Sequence, residues 1–148
     1  MADLKARITE DSKTAMRSRD KDRLSVLRMI LAAIKQVEVD ERITLDDART
    51  LAVLEKKAKQ HRDSIEQFQA AGRDDLVSKE TFELGIVQEY MPAPLGEAEI
   101  NQLIASAIRE SGAATIKDMG KIMALLKPKV QGRTDMGKLS NLVKQQLG

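Results

Sequence analysis

The sequence predicts an all-α protein built as an N-terminal domain of about four helices, residues 1–91, and a small three-helix C-terminal domain, residues 92–148. Three observations carry this reading. Apolar residues recur at three- and four-residue spacing almost throughout, and nothing alternates with period two for long enough to make a strand. Met91-Pro92-Ala93-Pro94 removes backbone donors and forces extended geometry, which marks the clearest linker. Gly72, Ser111-Gly112 and the segment from Pro128 to Gly132 punctuate the remaining pattern.

The first helix spans Leu4 to Arg17, with Leu4, Ile8 and Ala15 on one stripe and a polar face of mixed sign, a weakly apolar surface helix. The second starts after Asp20, a good N-cap, and carries Leu24, Leu27, Ile30, Leu31, Ile34 and Val37 as a core stripe. The third starts at Thr44, where Thr44-x-x-Asp47 approximates a capping box. Its seam is Leu51, Leu54, Ala58, His61, Ile65 and Phe68, and Gly72 supplies the left-handed stop. A fourth helix runs from about Asp74 to Tyr90. Beyond the linker come three shorter ones: about Glu97 to Glu110, Ile116 to Lys127, and Asp135 to Leu147.

Composition narrows the function. With 42% hydrophobic residues the 148-residue chain can build a core, and with no cysteine and a single His61 neither disulfide, redox nor zinc chemistry is expected. No metal, cofactor or catalytic residue is assigned. The first residues, MADLKARITEDSK, lack the apolar run of a secretory signal, and no window approaches a membrane span of about 18 apolar residues, so a soluble cytoplasmic protein is expected. An aromatic content of 2% is too low for base-stacking platforms, so any nucleic-acid contact must rest on phosphates and shape.

The net charge is only +2, but its distribution is uneven. Residues 1–91 carry 17 Lys+Arg against 18 Asp+Glu, and residues 92–148 carry 8 against 5. The last 38 residues have 7 basic and 2 acidic side chains, which makes the C-terminal tail the place for an anionic partner.

Within that tail, Gly132-Arg-Thr-Asp-Met-Gly137-Lys138 fits seven positions of the phosphate loop G-x-x-x-x-G-K-[ST]. The fit fails physically. Lys127-Pro128-Lys129-Val130-Gln131 cannot be a buried strand, position 139 is Leu, and Ser140 falls one residue late, turning its hydroxyl by about 100° on a helix. Asp135-Met-Gly-Lys138 instead repeats Asp118-Met-Gly-Lys121, 17 residues earlier, and the likeness extends to Leu125 with Leu142 and Lys127 with Lys144. Each copy reads as a helix start, with Asp at or near the N-cap, Met toward the core and Gly allowing another backbone close. Two explanations stand. The glycines let the helices pack tightly and the lysines are solvated, or two helix starts beside Lys117, Gly120, Lys121, Lys127, Lys129, Arg133, Gly137 and Lys138 form a phosphate-backbone site.

Elsewhere the simple readings win. His61 falls in a helix seam as a packing and hydrogen-bonding residue, with no carboxylate that periodicity places beside it. Glu38 to Asp47 lacks the ligand spacing and turn glycine of a calcium loop and is expected to be a solvated connection.

These residues resemble the YqeY family, whose fold recurs as the tail domain of the B subunit (GatB) of tRNA-dependent amidotransferases. The resemblance runs through Val26-Leu-Arg-Met-Ile-Leu-Ala-Ala-Ile34, Lys59-Gln-His-Arg-Asp-Ser-Ile65, Ala71-Gly-Arg-Asp-Asp-Leu76, and Glu89-Tyr-Met-Pro92, where Met91 replaces the family's usual Leu. In the tail it rests on Asp118-Met-Gly-Lys-Ile-Met123 and Gly132-Arg-Thr-Asp-Met-Gly137. It implies tRNA or other structured RNA as partner, and aminoacyl-tRNA synthetase or amidotransferase subunits as alternative protein partners. It implies no activity for this chain alone: the carbon–nitrogen ligase label, with glutamine as amido-N-donor, belongs to the larger subunit, whose chemical domains 148 residues cannot contain.

Overall fold

A computed structural model describes residues 3–131 and 133–147. The described residues form seven α-helices and one short 3-10 turn with no strand, in two compact units, residues 1–92 and 93–148.

In the first unit, α1 (Leu4–Arg17) starts at Asp3, whose Oδ1 accepts from Lys5 N at 2.9 Å. It is less peripheral than its sparse apolar content suggests, because Ile8 and Ala15 are wholly buried against the neighbouring helices. Helix α2 (Lys21–Glu41) is capped by Asp20, which accepts from Arg23 N at 3.2 Å, and buries Val26, Leu27, Ile30 and Ile34. Leu24, Leu31 and Val37 flank that stripe half-buried.

Helix α3 (Asp47–Ala70) starts later than Thr44. Of the competing caps, Asp46 wins: its Oδ1 accepts from Arg49 N at 2.8 Å, while Leu45, drawn into the core, donates its N–H to Glu38 Oε2 at 2.9 Å. The acidic stretch is exposed at most positions, as expected of a solvated connection, but its carboxylates are engaged. Glu38 is buried and takes Lys5 Nζ at 2.8 Å, Glu41 pairs with Arg49, and Asp47 Oδ1 accepts from Leu4 N at 2.8 Å at the start of α1. Gly72, at φ +69°, turns the chain into α4 (Asp74–Gln88), which lies back along α3 in the most extensive helix pairing of the chain. Tyr90 falls just beyond α4 and is buried at the end of the same core.

In the second unit, α5 (Glu97–Ser111) ends at Gly112, and a 3-10 turn (Ile116–Asp118) leads into α6 (Met119–Val130), followed by α7 (Met136–Leu147). Their inner stripes, Ile100, Ile104 and Ala107, then Ile122, Leu126 and Val130, then Leu139 and Val143, form one core. The expected break at Pro128 does not occur; α6 runs through it. Proline costs about 3 kcal/mol in a helix interior. Here it lies in the last turn, where one more turn puts Val130 fully into the core, worth about 1.5–3 kcal/mol. Gly132, the first glycine of the apparent phosphate loop, lies outside the described residues.

Candidate nucleic-acid interface

The two Asp-Met-Gly-Lys starts are built differently. At α7, Asp135 Oδ1 accepts from Gly137 N at 2.8 Å, a forward cap on its own helix. At α6, Asp118 faces backward: with Thr115 it closes a capping box on the 3-10 turn, its Oδ2 accepting from Ala114 N at 3.1 Å and Thr115 N at 3.4 Å. Those two backbone donors, with a lesser contribution from Lys121, hold the Asp118 carboxyl below the usual range. Met119 and Met136 both pack against the core, as the repeat predicts.

The glycines do not serve close backbone packing. A Cβ at Gly120 would meet nothing within 4 Å, and one at Gly137 would meet only its own cap, Asp135 Oδ1, at 3.2 Å. Neither has a positive φ. The fold therefore supplies no steric reason for glycine at position 120, although glycine costs a helix about 1 kcal/mol relative to alanine, whereas at position 137 a side chain would press on the capping carboxylate.

Nor does the structure bring both starts to one place. Helix α6 is about 18 Å long, and Arg133 N donates to Val130 O at 2.8 Å, a tight turn that holds the start of α7 near the end of α6. The basic residues consequently divide: Lys117 and Lys121 lie about the start of α6, and Lys127, Lys129, Arg133 and Lys138 about its end and the start of α7. Arg133 also ties the linker down, its Nε donating to Ala93 O at 3.0 Å and its carbonyl accepting from Leu95 N at 2.8 Å.

The lysines are exposed, and none of Lys117, Lys121, Lys127, Lys129 or Lys138 forms an ion pair with a described carboxylate. Lys127 and Lys129 occupy the last turn of α6, where the helix dipole favours a cation, so the helix alone accounts for them. Lys121 and Lys138 are third in their helices, where the dipole disfavours a cation. At the start of α6, then, both Gly and Lys go against helix stability, and at the start of α7 the Lys does.

A second cluster escaped the sequence reading. His61 Nδ1 lies 2.6 Å from Glu80 Oε2 and 3.7 Å from Glu83 Oε2, so the seam histidine does have carboxylate neighbours, two of them, from α4. The signal was present. In a helical hairpin turning at Gly72, residues equidistant from the turn face each other, and His61 precedes it by 11 residues while Glu83 follows it by 11. Periodicity within one helix does not reveal such a pair.

A family model described as Yqey-like protein matches residues 5–147. The curated protein "Altered inheritance of mitochondria protein 41, mitochondrial" of Pyrenophora tritici-repentis is 35% identical over 127 residues, covering 82% of this chain and 70% of that protein. Its namesake in Eremothecium gossypii is 39% identical over 99 residues, 66% of this chain and 54% of its own length. That of Lachancea thermotolerans is 33% identical over 108 residues, 71% and 58%. The chain thus spans little more than half the length of the last two. No helix among the described residues is long and apolar enough to cross a membrane.

Proposed function

The chain belongs to the YqeY-like family, and from that premise we propose that its C-terminal unit is a non-catalytic module that grips the sugar-phosphate backbone of structured RNA, tRNA foremost. The carrying observation is that Gly120-Lys121 puts a helix-disfavouring pair into the first turn of α6 with no packing reason, and that Lys138 repeats the disfavoured cation in the first turn of α7. Residues that break local rules without structural return are where function is expected. A phosphate supplies the return at the start of α6, where it meets a lysine, the positive end of a helix and, at Gly120, a backbone with open space above it; at the start of α7, where Asp135 already holds the Gly137 N–H, the contact rests on Lys138. With the two starts toward opposite ends of α6, the unit offers two phosphate contacts about a helix length apart, suited to an extended polyanion rather than one nucleotide.

The test is tRNA binding by the full chain at about 50 and 200 mM salt, with Lys121→Glu/Lys138→Glu beside it. Wild-type affinity falls steeply with salt. The double variant binds at least tenfold more weakly, with a salt slope shallower by about 1 for each lysine lost. Unchanged affinity in the folded variant overturns the proposal.

A second reading, an adaptor for a synthetase or amidotransferase subunit, draws on the first unit. Phe82 is 49% exposed in a shallow groove with Arg23, Gly85, Ile86 and Glu89. Recovery of a stoichiometric protein partner that survives nuclease and is lost in Phe82→Ser would favour it over RNA binding.

A further inference from the structure

We propose that His61, Glu80 and Glu83 form a binding site for a single divalent transition-metal ion of the zinc class, clamping α3 to α4. Four features of the cluster support it. Its donors, one imidazole nitrogen and two carboxylate oxygens, lie within 4.8 Å of one another. Ligands about 2.0–2.2 Å from one tetrahedral ion stand about 3.3–3.6 Å apart, a spacing that side-chain rotations bring these donors to. The donor set is mixed: oxygen-only cages suit magnesium and calcium, whereas imidazole with carboxylates suits zinc and its neighbours, and three protein ligands leave a position for water.

Charge gives the third reason. The side chains are largely withdrawn from solvent, His61 10%, Glu80 19% and Glu83 12% exposed, and no described lysine or arginine pairs with either glutamate. One imidazole can offset at most one of two carboxylates, and burying the excess is costly. A dication with a neutral imidazole balances the site completely. Fourth, Glu80 already engages Nδ1 at 2.6 Å, whereas Glu83, at 3.7 Å, is beyond hydrogen-bond reach of it. The ion takes the place of the proton between Nδ1 and Glu80, and Glu83 closes onto it. Glu80 and Glu83, one turn apart, present both oxygens from one helix face, while His61 comes from the other arm of the hairpin.

The experiment uses untagged, chelator-treated full-length protein with zinc, and cobalt(II) as a spectroscopic probe. Zinc is expected to bind one to one and to raise the unfolding midpoint by several degrees at saturation. Since His61 is the sole histidine, its imidazole resonance should shift with the same stoichiometry. Glu83→Gln, which leaves the His61–Glu80 hydrogen bond in place, should fold as wild type and bind zinc at least tenfold more weakly; His61→Gln should abolish binding. Absence of saturable binding, an unmoved imidazole resonance, or wild-type affinity in Glu83→Gln would each overturn the proposal and leave a plain histidine–carboxylate pair. Calcium bound as tightly as zinc would overturn the assignment of metal class.

Discussion

The Tyr90 hydroxyl donates to Asp11 Oδ2 at 2.5 Å, joining residues 79 apart in sequence at the end of the first unit's core. Arg23 Nη2 reaches the same hydroxyl at 3.3 Å, and the Arg7 guanidinium sits 4.9 Å from the ring centroid. Burial first, and then the hydrogen bond to Asp11, push the phenol well above its ordinary value of about 10. A group whose folded pKa is raised contributes stability that is fully present below the unfolded pKa and lost as pH rises through the folded one. The first unit should therefore weaken above about pH 10, and Tyr90→Phe should remove that alkaline limb while costing about 1–2 kcal/mol at neutral pH. As Tyr90 is the only tyrosine and tryptophan is absent, an absorbance titration reads it directly. Ionisation at the free-tyrosine value in the folded protein would contradict the assignment.

On the acid side a buried sensitive group of the first unit is Glu38. Lys5 Nζ contacts both its oxygens at 2.8 Å and Leu45 N–H donates to one of them, and these bonds hold its carboxyl below the usual range. A depressed carboxylate contributes stability present above the unfolded pKa, about 4.3, and lost as pH falls through the folded value. Glu38→Gln should lower the urea midpoint at pH 7 and flatten the fall in stability below about pH 4. An equally steep fall in the variant would place the acid-sensitive group elsewhere.

How far the sequence carried can be read from such contacts. Asp20 before α2, Gly72 after α3 and the Leu54–Ala58–His61 seam were legible because caps, stops and periodicity act within a few residues. Asp46 displaced Thr44 as a cap because Leu45 is held by Glu38, and α6 ran through Pro128 because Val130 has a core to enter. Both outcomes depend on tertiary partners. The Asp-Met-Gly-Lys repeat announced two helix starts correctly, yet not that Asp118 would turn backward or that both glycines would stand clear of other backbones.

Two backbone positions should respond with opposite signs. Gly72 sits at φ +69°, which suits glycine, whereas Arg42 adopts φ +55° at the end of α2, a conformation that costs a side-chain-bearing residue about 1 kcal/mol. Gly72→Ala should destabilise the α3–α4 hairpin by about 1 kcal/mol, and Arg42→Gly should stabilise the chain by about 0.5–1 kcal/mol. Denaturant midpoints with unchanged slopes would check both, and a loss of stability in Arg42→Gly would reveal a role for its exposed side chain.

Stability and binding should part company at the start of α6. Gly120 has open space where a Cβ would stand and no unusual φ, so Gly120→Ala should stabilise the second unit by about 0.5–1 kcal/mol. Lys121→Gln, removing a cation from the first turn, should add a further few tenths. If this start meets phosphate, both changes nonetheless weaken tRNA binding: the methyl group holds the phosphate off the backbone, and the glutamine gives up a counterion-releasing contact. A merely structural origin of the repeat predicts variants that are more stable and bind as before. Urea unfolding paired with tRNA titration on the same two variants separates the cases, and undiminished affinity in both would remove the start of α6 from the interface.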